Sequence, residues 1–303
     1  MIGQRNLQSR IEQLIKNHTF PRFSILVGPK GSGKKTLVHE IGHMFNAWRV
    51  SSDYVDVYRL PDVKIDTIRD MIAQSYKQAR TMVYIIPDAD NMSPAAKNAI
   101  LKVTEEPPND AYFIMTLEDE NNTLETIRSR GTVFYMDRYT PDEIFEYYWT
   151  VADMPNDAEL VREICETPGE VKNCIDMCKG TIQSFYDYVQ LVVDNIAEVS
   201  LANAFKIPSK VALKDDAEGY DFTLFLKCMI VVCSDRMQQN AIYAEVVQCI
   251  SRYLQKTRIK GINRTMLLDN LILDVRELLN KNKRGIYGEI INGCSNIKSK
   301  DKI

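Results

Sequence analysis

A glycine-rich segment from Gly28 to Lys34 constrains the fold of this chain more than any other part of its sequence. It reads Gly-Pro-Lys-Gly-Ser-Gly-Lys. This matches the first seven positions of G-x-x-x-x-G-K-[ST], a loop whose backbone N–H groups cradle phosphates. An apolar run at 23–27 ends at the loop, and apolar residues at helical spacing follow it. A strand, this loop and a helix in that order predict a P-loop fold.

The residue after the motif lysine is the wrong type for a magnesium ligand. A P-loop has serine or threonine there, and its hydroxyl binds Mg²⁺, whereas this chain has Lys35. Thr36 follows, but one step along a helix turns a side chain by about 100°, so Thr36 cannot replace the missing ligand. The sequence therefore predicts a damaged magnesium site beside an intact phosphate cradle. The predicted cradle residues are Gly28, Gly31, Gly33 and Lys34.

Strand and helix patterns alternate through the first 140 residues. Apolar segments predict five strands, and helical spacing predicts three helices between them. The strands are expected at 23–27, 54–60, 82–86, 111–117 and 132–136, and the helices at 34–46, 64–80 and 94–106. This alternation predicts an α/β fold with a doubly wound parallel sheet and a ligand site at the carboxyl ends of the strands.

The pattern changes after Thr140. Short helices are predicted from 143 to 178, and from about 183 onward the spacing is helical with no strand signal. We predict a P-loop domain at 1–140, a small helical lid at 141–182 and an all-α collar at 183–303. The apolar stripe from Leu267 to Leu279 needs a surface to cover it, and we expect other subunits to supply that surface.

The third strand is where P-loop ATPases carry a pair of acidic residues, one for Mg²⁺ and one to activate water. Here Pro87 stands in the metal-binding position and Asp88 in the catalytic position. Proline has no carboxylate, and aspartate is one methylene shorter than the usual glutamate, which matters for positioning a water molecule. Two ligands to one ion are therefore missing, which argues against an ordinary ATPase.

Composition excludes several other classes of protein. The chain has 45% hydrophobic and 26% charged residues, which is typical of a soluble globular protein, and no apolar run approaches the roughly 18 residues of a membrane span. No secretory signal is evident, so we expect a cytoplasmic protein that does not contact the membrane. Its seven cysteines include no C-x-x-C pair, and its net charge of −3 disfavours free-standing nucleic-acid binding.

A second short motif, His39-Glu40-Ile41-Gly42-His43, matches the H-E-x-x-H pattern of zinc proteases. It lies in the predicted P-loop helix, and His18 is the only other histidine in the chain. A third zinc ligand would have to be an unidentified carboxylate. We expect no zinc, although the metalloprotease reading remains open to measurement of bound metal.

Several motifs taken together resemble AAA+ clamp-loader subunits, and the resemblance is nearest to the delta-prime subunits of bacterial DNA polymerase III. It spans residues 1–180. The segments that carry it are Ile2-Gly3-Gln4, Gly28 to Thr36, Ile85 to Asp90, Asn98 to Pro108 and Thr126 to Gly131. Delta-prime subunits have degenerate nucleotide sites, so this resemblance accounts for Lys35 and Pro87. The zinc module that many relatives carry after the P-loop helix is absent, because 46–53 contains no cysteine.

The resemblance also implies roles for single residues. Arg130, in the step Ser129-Arg130-Gly131, aligns with the arginine that relatives insert into a neighbour's ATP site, and Thr116 aligns with the first sensor position. Glu170 takes the place of a later sensor arginine, and we expect its carboxylate to repel phosphate. Asn98 and Lys102 align with a helix that tracks duplex DNA phosphates, which makes them candidates for DNA contact.

These inferences lead to one functional expectation. We expect a non-hydrolysing, delta-prime-like clamp-loader subunit that supports ring assembly and offers Arg130 in trans during DNA replication. ATP or ADP would be bound without hydrolysis, if at all. The implied partners are P-loop ATPase and delta-like subunits, a sliding clamp and primed DNA. The alternative is an active AAA+ ATPase, either a clamp-loader motor subunit or a helicase loader.

Overall fold

The computed structural model describes residues 3–48, 54–78, 80–152, 157–178, 181–206, 210–213, 219–257, 259 and 261–297, with side chains in the last helix to 281. Ile2, which carries part of the resemblance, lies outside these ranges. The helices are α1 Arg5–Lys16, α2 Lys34–Ala47, α3 Ile65–Ser75, α4 Pro94–Glu105, α5 Glu125–Arg128, α6 Pro141–Val151, α7 Ala158–Ile164, α8 Pro168–Cys178, α9 Ile182–Asn195, α10 Leu201–Ala204, α11 Phe222–Arg236, α12 Ile242–Lys256 and α13 Arg264–Ile297. The strands are β1 Phe23–Val27, β2 Asp56–Arg59, β3 Met82–Ile86, β4 Ala111–Leu117, β5 Thr132–Tyr135, β6 Val211–Ala212 and β7 Tyr220–Asp221.

The chain divides into two compact units. The first comprises residues 1–147 and 167–169, and the second comprises 148–166 and 170–303. The division into three domains at 140 and 182 stays a prediction. No helix in the described ranges has the length and apolar character that crossing a bilayer requires.

The first unit contains a five-stranded parallel sheet in the order β2-β3-β4-β1-β5. The predicted α/β fold is confirmed. Each central strand is buried on both faces, as a parallel sheet covered by helices requires, and all five residues of β1 are buried. Because β1 lies between β4 and β5, its carboxyl end opens at an edge shared with the ends of both neighbours. The P-loop emerges at that edge.

Helices cover both faces of the sheet. On one face, Ile68 and Met71 of α3 and Ile100 of α4 pack in a cluster that includes Tyr84 and Phe113. The other face packs against residues from α1 and α2, among them Ile11, Leu37, Val38, Ile41 and Phe45. Burial of each such apolar side chain contributes about 1.5–3 kcal/mol. These two layers hold the carboxyl edge of the sheet in place.

The second unit is helical, as expected. Helix α11 packs against α9 and α12, and α12 packs against α13. One detail of the expectation is wrong, because β6 and β7 form a parallel pair of two residues each. Two residues are too few to produce an alternating pattern, so sequence periodicity could not reveal this pair.

The apolar stripe of α13 is already covered within the chain. Leu268, Leu271, Ile272 and Val275 are each less than 5% exposed, and α13 packs against α12. Our expectation that partner subunits would cover this stripe is therefore wrong. The spacing identified the buried face of the helix but not the element that buries it.

Candidate nucleotide-binding site

The P-loop adopts a conformation that its glycines permit. Gly31 and Gly33 have φ values of 80° and 86°, in the left-handed region that favours glycine. Gly28 has no room for a side chain, because a Cβ there would lie 2.6 Å from Cγ of Met136. The loop therefore depends on glycine at the motif positions, as the sequence predicts.

Lys34 is the first residue of α2 and is only 7% exposed. Its Nζ donates to the carbonyl oxygens of Gly28 at 2.5 Å and Pro29 at 2.9 Å. Burial lowers the pKa of this ammonium below its usual value, and the nearby carboxylates of Glu118, Asp90 and Asp88 oppose that shift. The lysine is thus folded into the loop that precedes it, where an incoming phosphate would compete with the two carbonyl oxygens.

Lys35 and Asp88 form an ion pair, with 3.4 Å between Nζ and Oδ2. The sequence predicts a cation, Lys35, at the hydroxyl position and a carboxylate, Asp88, just after β3. In the folded chain these two side chains lie next to each other. Thr36 is exposed on the next position of α2. A magnesium ion needs oxygen ligands. The position of the usual hydroxyl ligand holds the ammonium of Lys35, and the position of the usual metal-binding carboxylate, directly after β3, holds Pro87. The residues present do not fit Mg²⁺.

Asp88 is held by its backbone as well as by Lys35. Its φ of 47° is unusual for a residue other than glycine. Its N–H donates to the hydroxyl of Thr116, which is 1% exposed at the end of β4. Thr116, predicted as a sensor, therefore fixes the turn that presents the Asp88 carboxylate.

Asp90 is a structural residue to which the sequence reasoning assigned no role. Its carboxylate accepts hydrogen bonds from the N–H groups of Glu118 and Asp119, at 2.8 and 3.3 Å, and from the amide of Asn122 at 3.0 Å. It joins the turn after β3 to the turn after β4. The signal available in the sequence was an aspartate four residues beyond a buried strand.

Residues 167–169 contact the tip of the P-loop within the first unit. The N–H of Gly169 donates to the carbonyl of Gly31 at 3.0 Å, and the Thr167 hydroxyl donates to the carbonyl of Lys30 at 3.4 Å. A Cβ on Gly169 would lie 2.4 Å from Cα of Gly31. The sequence showed only a helix break at these residues, but here a glycine is required for close approach of two backbone segments.

Glu170, in the second unit, is neutralised by a lysine. Nζ of Lys227 lies 2.8 and 2.9 Å from the two carboxylate oxygens of Glu170 and 3.0 Å from Glu166. Lys227 is only 11% exposed. The carboxylate that we expected to repel phosphate is therefore largely compensated by a cation 57 residues away in the chain.

Arg130 lies just after α5, and the side chain is 34% exposed. Its Nη2 lies 2.9 Å from Oε1 of Glu105, and its Nη1 donates to the carbonyl of Thr126 at 2.7 Å. Arg128 has different partners, Glu120 at 3.9 Å and Asn121 at 3.5 Å. The two arginines thus occupy separate environments. Glu105 is a partner of Arg130 that sequence reasoning missed.

The chain is similar in sequence to several known proteins. The family model described as "DNA polymerase III, delta subunit" matches residues 56–140. A replication factor C small subunit from Staphylothermus marinus is 23% identical over 228 residues, covering 68% of each chain. A DNA polymerase III subunit gamma from Buchnera aphidicola is 24% identical over 169 residues, covering 48% of this chain and 47% of the relative. A DNA polymerase III subunit delta-prime from Haemophilus influenzae is 33% identical over 91 residues, covering 29% of this chain and 27% of the relative.

The chain is thus similar to clamp-loader subunits of the AAA+ class. The resemblance read from the motifs is confirmed. The matched segments span from about a quarter to about two thirds of the curated relatives. The relatives' activity and partners therefore extend to this chain only as proposals.

The two candidate DNA-contact residues lie on one face of α4. Asn98 and Lys102 are exposed, one helical turn apart. They line a groove of about 710 Å³ between α3 and α4, to which Arg69 and Tyr76 also contribute. Arg69 adds a second positive charge to this groove, which the sequence reasoning did not include.

The H-E-x-x-H residues lie on α2. His39 and His43 are exposed, and Glu40 accepts a hydrogen bond from the Gln8 amide at 3.0 Å. Within the described ranges, no group of three histidine, cysteine or acidic side chains is arranged to hold a metal ion. The absence of zinc stays a prediction.

Proposed function

We propose that this protein is a non-hydrolysing subunit of a sliding-clamp loader in DNA replication. It supports assembly of a ring of subunits and supplies Arg130 to ATP bound by a neighbouring subunit. The partners are P-loop ATPase and delta-like subunits, a sliding clamp and primed DNA within the complex, and the location is cytoplasmic. The relatives support this assignment, since their names are those of replication factor C and DNA polymerase III subunits.

The observation that carries the proposal is the ion pair between Lys35 and Asp88. In P-loop NTPases, magnesium bridges the β- and γ-phosphates and neutralises the charge that develops during transfer. Here the Lys35 ammonium stands at one metal-ligand position, and its ion-pair partner is the carboxylate expected to activate water. A site in this state has lost both the metal and a free catalytic base.

Arg130 supports the second part of the proposal. It is partly exposed, and Glu105, its acidic partner, is 53% exposed. An exposed ion pair contributes only about 0–1 kcal/mol, so the guanidinium can leave Glu105 for a stronger partner. A phosphate group on a neighbouring subunit offers a charge-assisted, bidentate contact.

Asn98 and Lys102 fit a backbone-only contact with DNA. A lysine and an amide on an exposed helical face can bind phosphate oxygens without reading sequence. Arg69 in the same groove adds local positive charge, although it lies 3.9 Å from the carboxylate of Asp66, and the whole chain carries a net charge of −3. DNA contact therefore belongs to the assembled complex rather than to the free chain.

One observation favours the alternative of an active ATPase. Lys34 and the glycine-rich loop retain P-loop geometry, with Gly31 and Gly33 in the left-handed conformation. Such a motor subunit, in a clamp loader or helicase loader, would hydrolyse ATP by itself. The two proposals differ in a property that can be measured on the isolated chain.

Reconstitution tests the assembly role. We expect the purified chain, mixed with a P-loop ATPase subunit and a delta-like subunit from the same source, to elute from a sizing column in one complex. We also expect that complex to show ATP turnover stimulated by primed DNA. Omitting the chain should reduce both complex formation and turnover. A complex that forms and turns over equally well without it would contradict the proposed function.

A further inference from the structure

We propose that the loop at 28–35 binds the diphosphate group of a nucleotide without a divalent cation, with the Lys35 ammonium in place of the metal. This inference deepens the proposed function and rests on it in one respect: it takes the site as one that does not hydrolyse. It concerns ligand binding by this chain alone, whereas the function in trans concerns Arg130.

The shape of the loop provides the first argument. Two left-handed glycines, Gly31 and Gly33, curve the backbone ahead of α2, a helix of 14 residues. The positive end of a helix and consecutive backbone N–H groups favour a bound anion. The loop is also pinned from outside by the hydrogen bond from Gly169 to Gly31. A backbone held in this way needs little reorganisation to accept a phosphate, and the Lys34 ammonium exchanges its two carbonyl partners for the anion.

A buried hydroxyl provides an independent argument. Ser32 is 1% exposed, and its Oγ has no hydrogen-bond partner within the described part of the chain. It lies 3.0 Å from the position that a Cβ on Gly28 would occupy, so it faces the first residue of the loop. A buried polar atom without a partner is costly in a folded protein and often indicates a missing ligand. A phosphate oxygen in the loop would supply an acceptor.

The lysine charges of the loop favour a metal-free diphosphate over its magnesium complex. Lys34 and Lys35 place two ammonium groups at the start of α2, and Lys30 adds a third in the same loop. A magnesium ion at the usual position would face the ammonium of Lys35, which repels it. A diphosphate group free of metal would instead be attracted by both lysines. The substitution that removes a metal ligand therefore also supplies charge for a metal-free anion.

Lys35 is able to make this contact. Its side chain is 55% exposed, and that of Asp88 is 45% exposed, so water weakens the ion pair between them. Asp88 itself stays in place, because its N–H donates to Thr116. The ammonium can therefore turn towards a phosphate while still near the carboxylate that fixes its position.

Calorimetric titration of ADP into the full chain tests the inference. At constant ionic strength, we expect binding in EDTA to be about tenfold tighter than binding in excess Mg²⁺, as the loss of one charge-assisted contact implies. Magnesium also captures free ADP, so the wild-type comparison alone is not sufficient. The variant Lys35→Thr restores the P-loop hydroxyl and removes the cation. We expect it to bind ADP about tenfold more weakly in EDTA and to gain affinity when Mg²⁺ is added.

Lys77→Thr is the matched control, since Lys77 is an exposed lysine outside the loop. It should titrate like the wild type in both buffers. Inorganic diphosphate as a second probe should show the same order of affinities, because the contacts are with phosphate. Three results would overturn the inference: no binding of ADP in either buffer, tighter binding by the wild type with Mg²⁺, or unchanged binding by Lys35→Thr in EDTA. None of these affects the role of Arg130, whereas hydrolysis of ATP by the isolated chain would contradict the proposed function itself.

Discussion

Replacing Arg130 with alanine is expected to slow ATP turnover in the reconstituted complex by on the order of 10³-fold, provided that the adjoining ATP site dominates turnover. A guanidinium directed at a neighbour's γ-phosphate stabilises negative charge that develops in the transition state. The residue is partly exposed, and its contacts are with Glu105 and the Thr126 carbonyl near the surface, so its loss should not disturb the fold. Turnover stimulated by DNA should fall while the elution volume of the complex stays the same.

Two further variants sharpen this test. Arg130→Lys should fail as well, because a point charge lacks the planar fork that contacts two oxygens. Arg128→Ala is the control, since Arg128 contacts Glu120 and Asn121 instead. If Arg130→Ala and Arg128→Ala give the same turnover in an intact complex, Arg130 is a surface cation and its assignment as a trans-acting arginine is wrong.

Replacing Lys227 with methionine is expected to lower the free energy of unfolding of the second unit by about 3 kcal/mol, because the poorly solvated Glu170 carboxylate loses the cation that neutralises it. Lys227 is 11% exposed and Glu170 is 20% exposed. The methionine preserves most of the side-chain volume, so the change reports on charge rather than on packing. Denaturation by urea, followed by circular dichroism, measures the effect.

The double variant Lys227→Met with Glu170→Gln should recover most of the lost stability, because the poorly solvated negative charge is then removed together with its cation. Lys172→Met, an exposed lysine on α8, should change stability by less than about 0.5 kcal/mol. A loss below 1 kcal/mol for Lys227→Met would mean that solvent already screens Glu170 and that the pair is not structurally important.

The sequence predicted the sheet well, because its signals are local. Continuous apolar runs identified β1, β3 and β4, since strands buried on both faces leave little room for polar residues. The edge strand β2 is shorter than predicted, 56–59 rather than 54–60, because an edge strand is paired on one side only. The pair β6 and β7 escaped notice because each has only two residues.

The site was predictable in its parts but not in its pairings. Motif spacing identified Lys35, Asp88 and Arg130, since each occupies a fixed position in a short sequence motif. The ion pair of Lys35 with Asp88 depends on the juxtaposition of α2 with the end of β3, and that of Glu170 with Lys227 joins residues 57 positions apart. Such contacts arise from tertiary packing, and no local pattern in a single sequence encodes them.

Phosphate release by the isolated, full-length chain in the presence of ATP and Mg²⁺ tests the central claim most directly. The Lys35–Asp88 ion pair and Pro87 leave the site without a metal ligand set or a free catalytic base. We therefore expect no turnover above the background of a sample without protein. Turnover near one per second, ordinary for phosphoryl-transfer enzymes, would contradict the claim and establish this chain as an active ATPase.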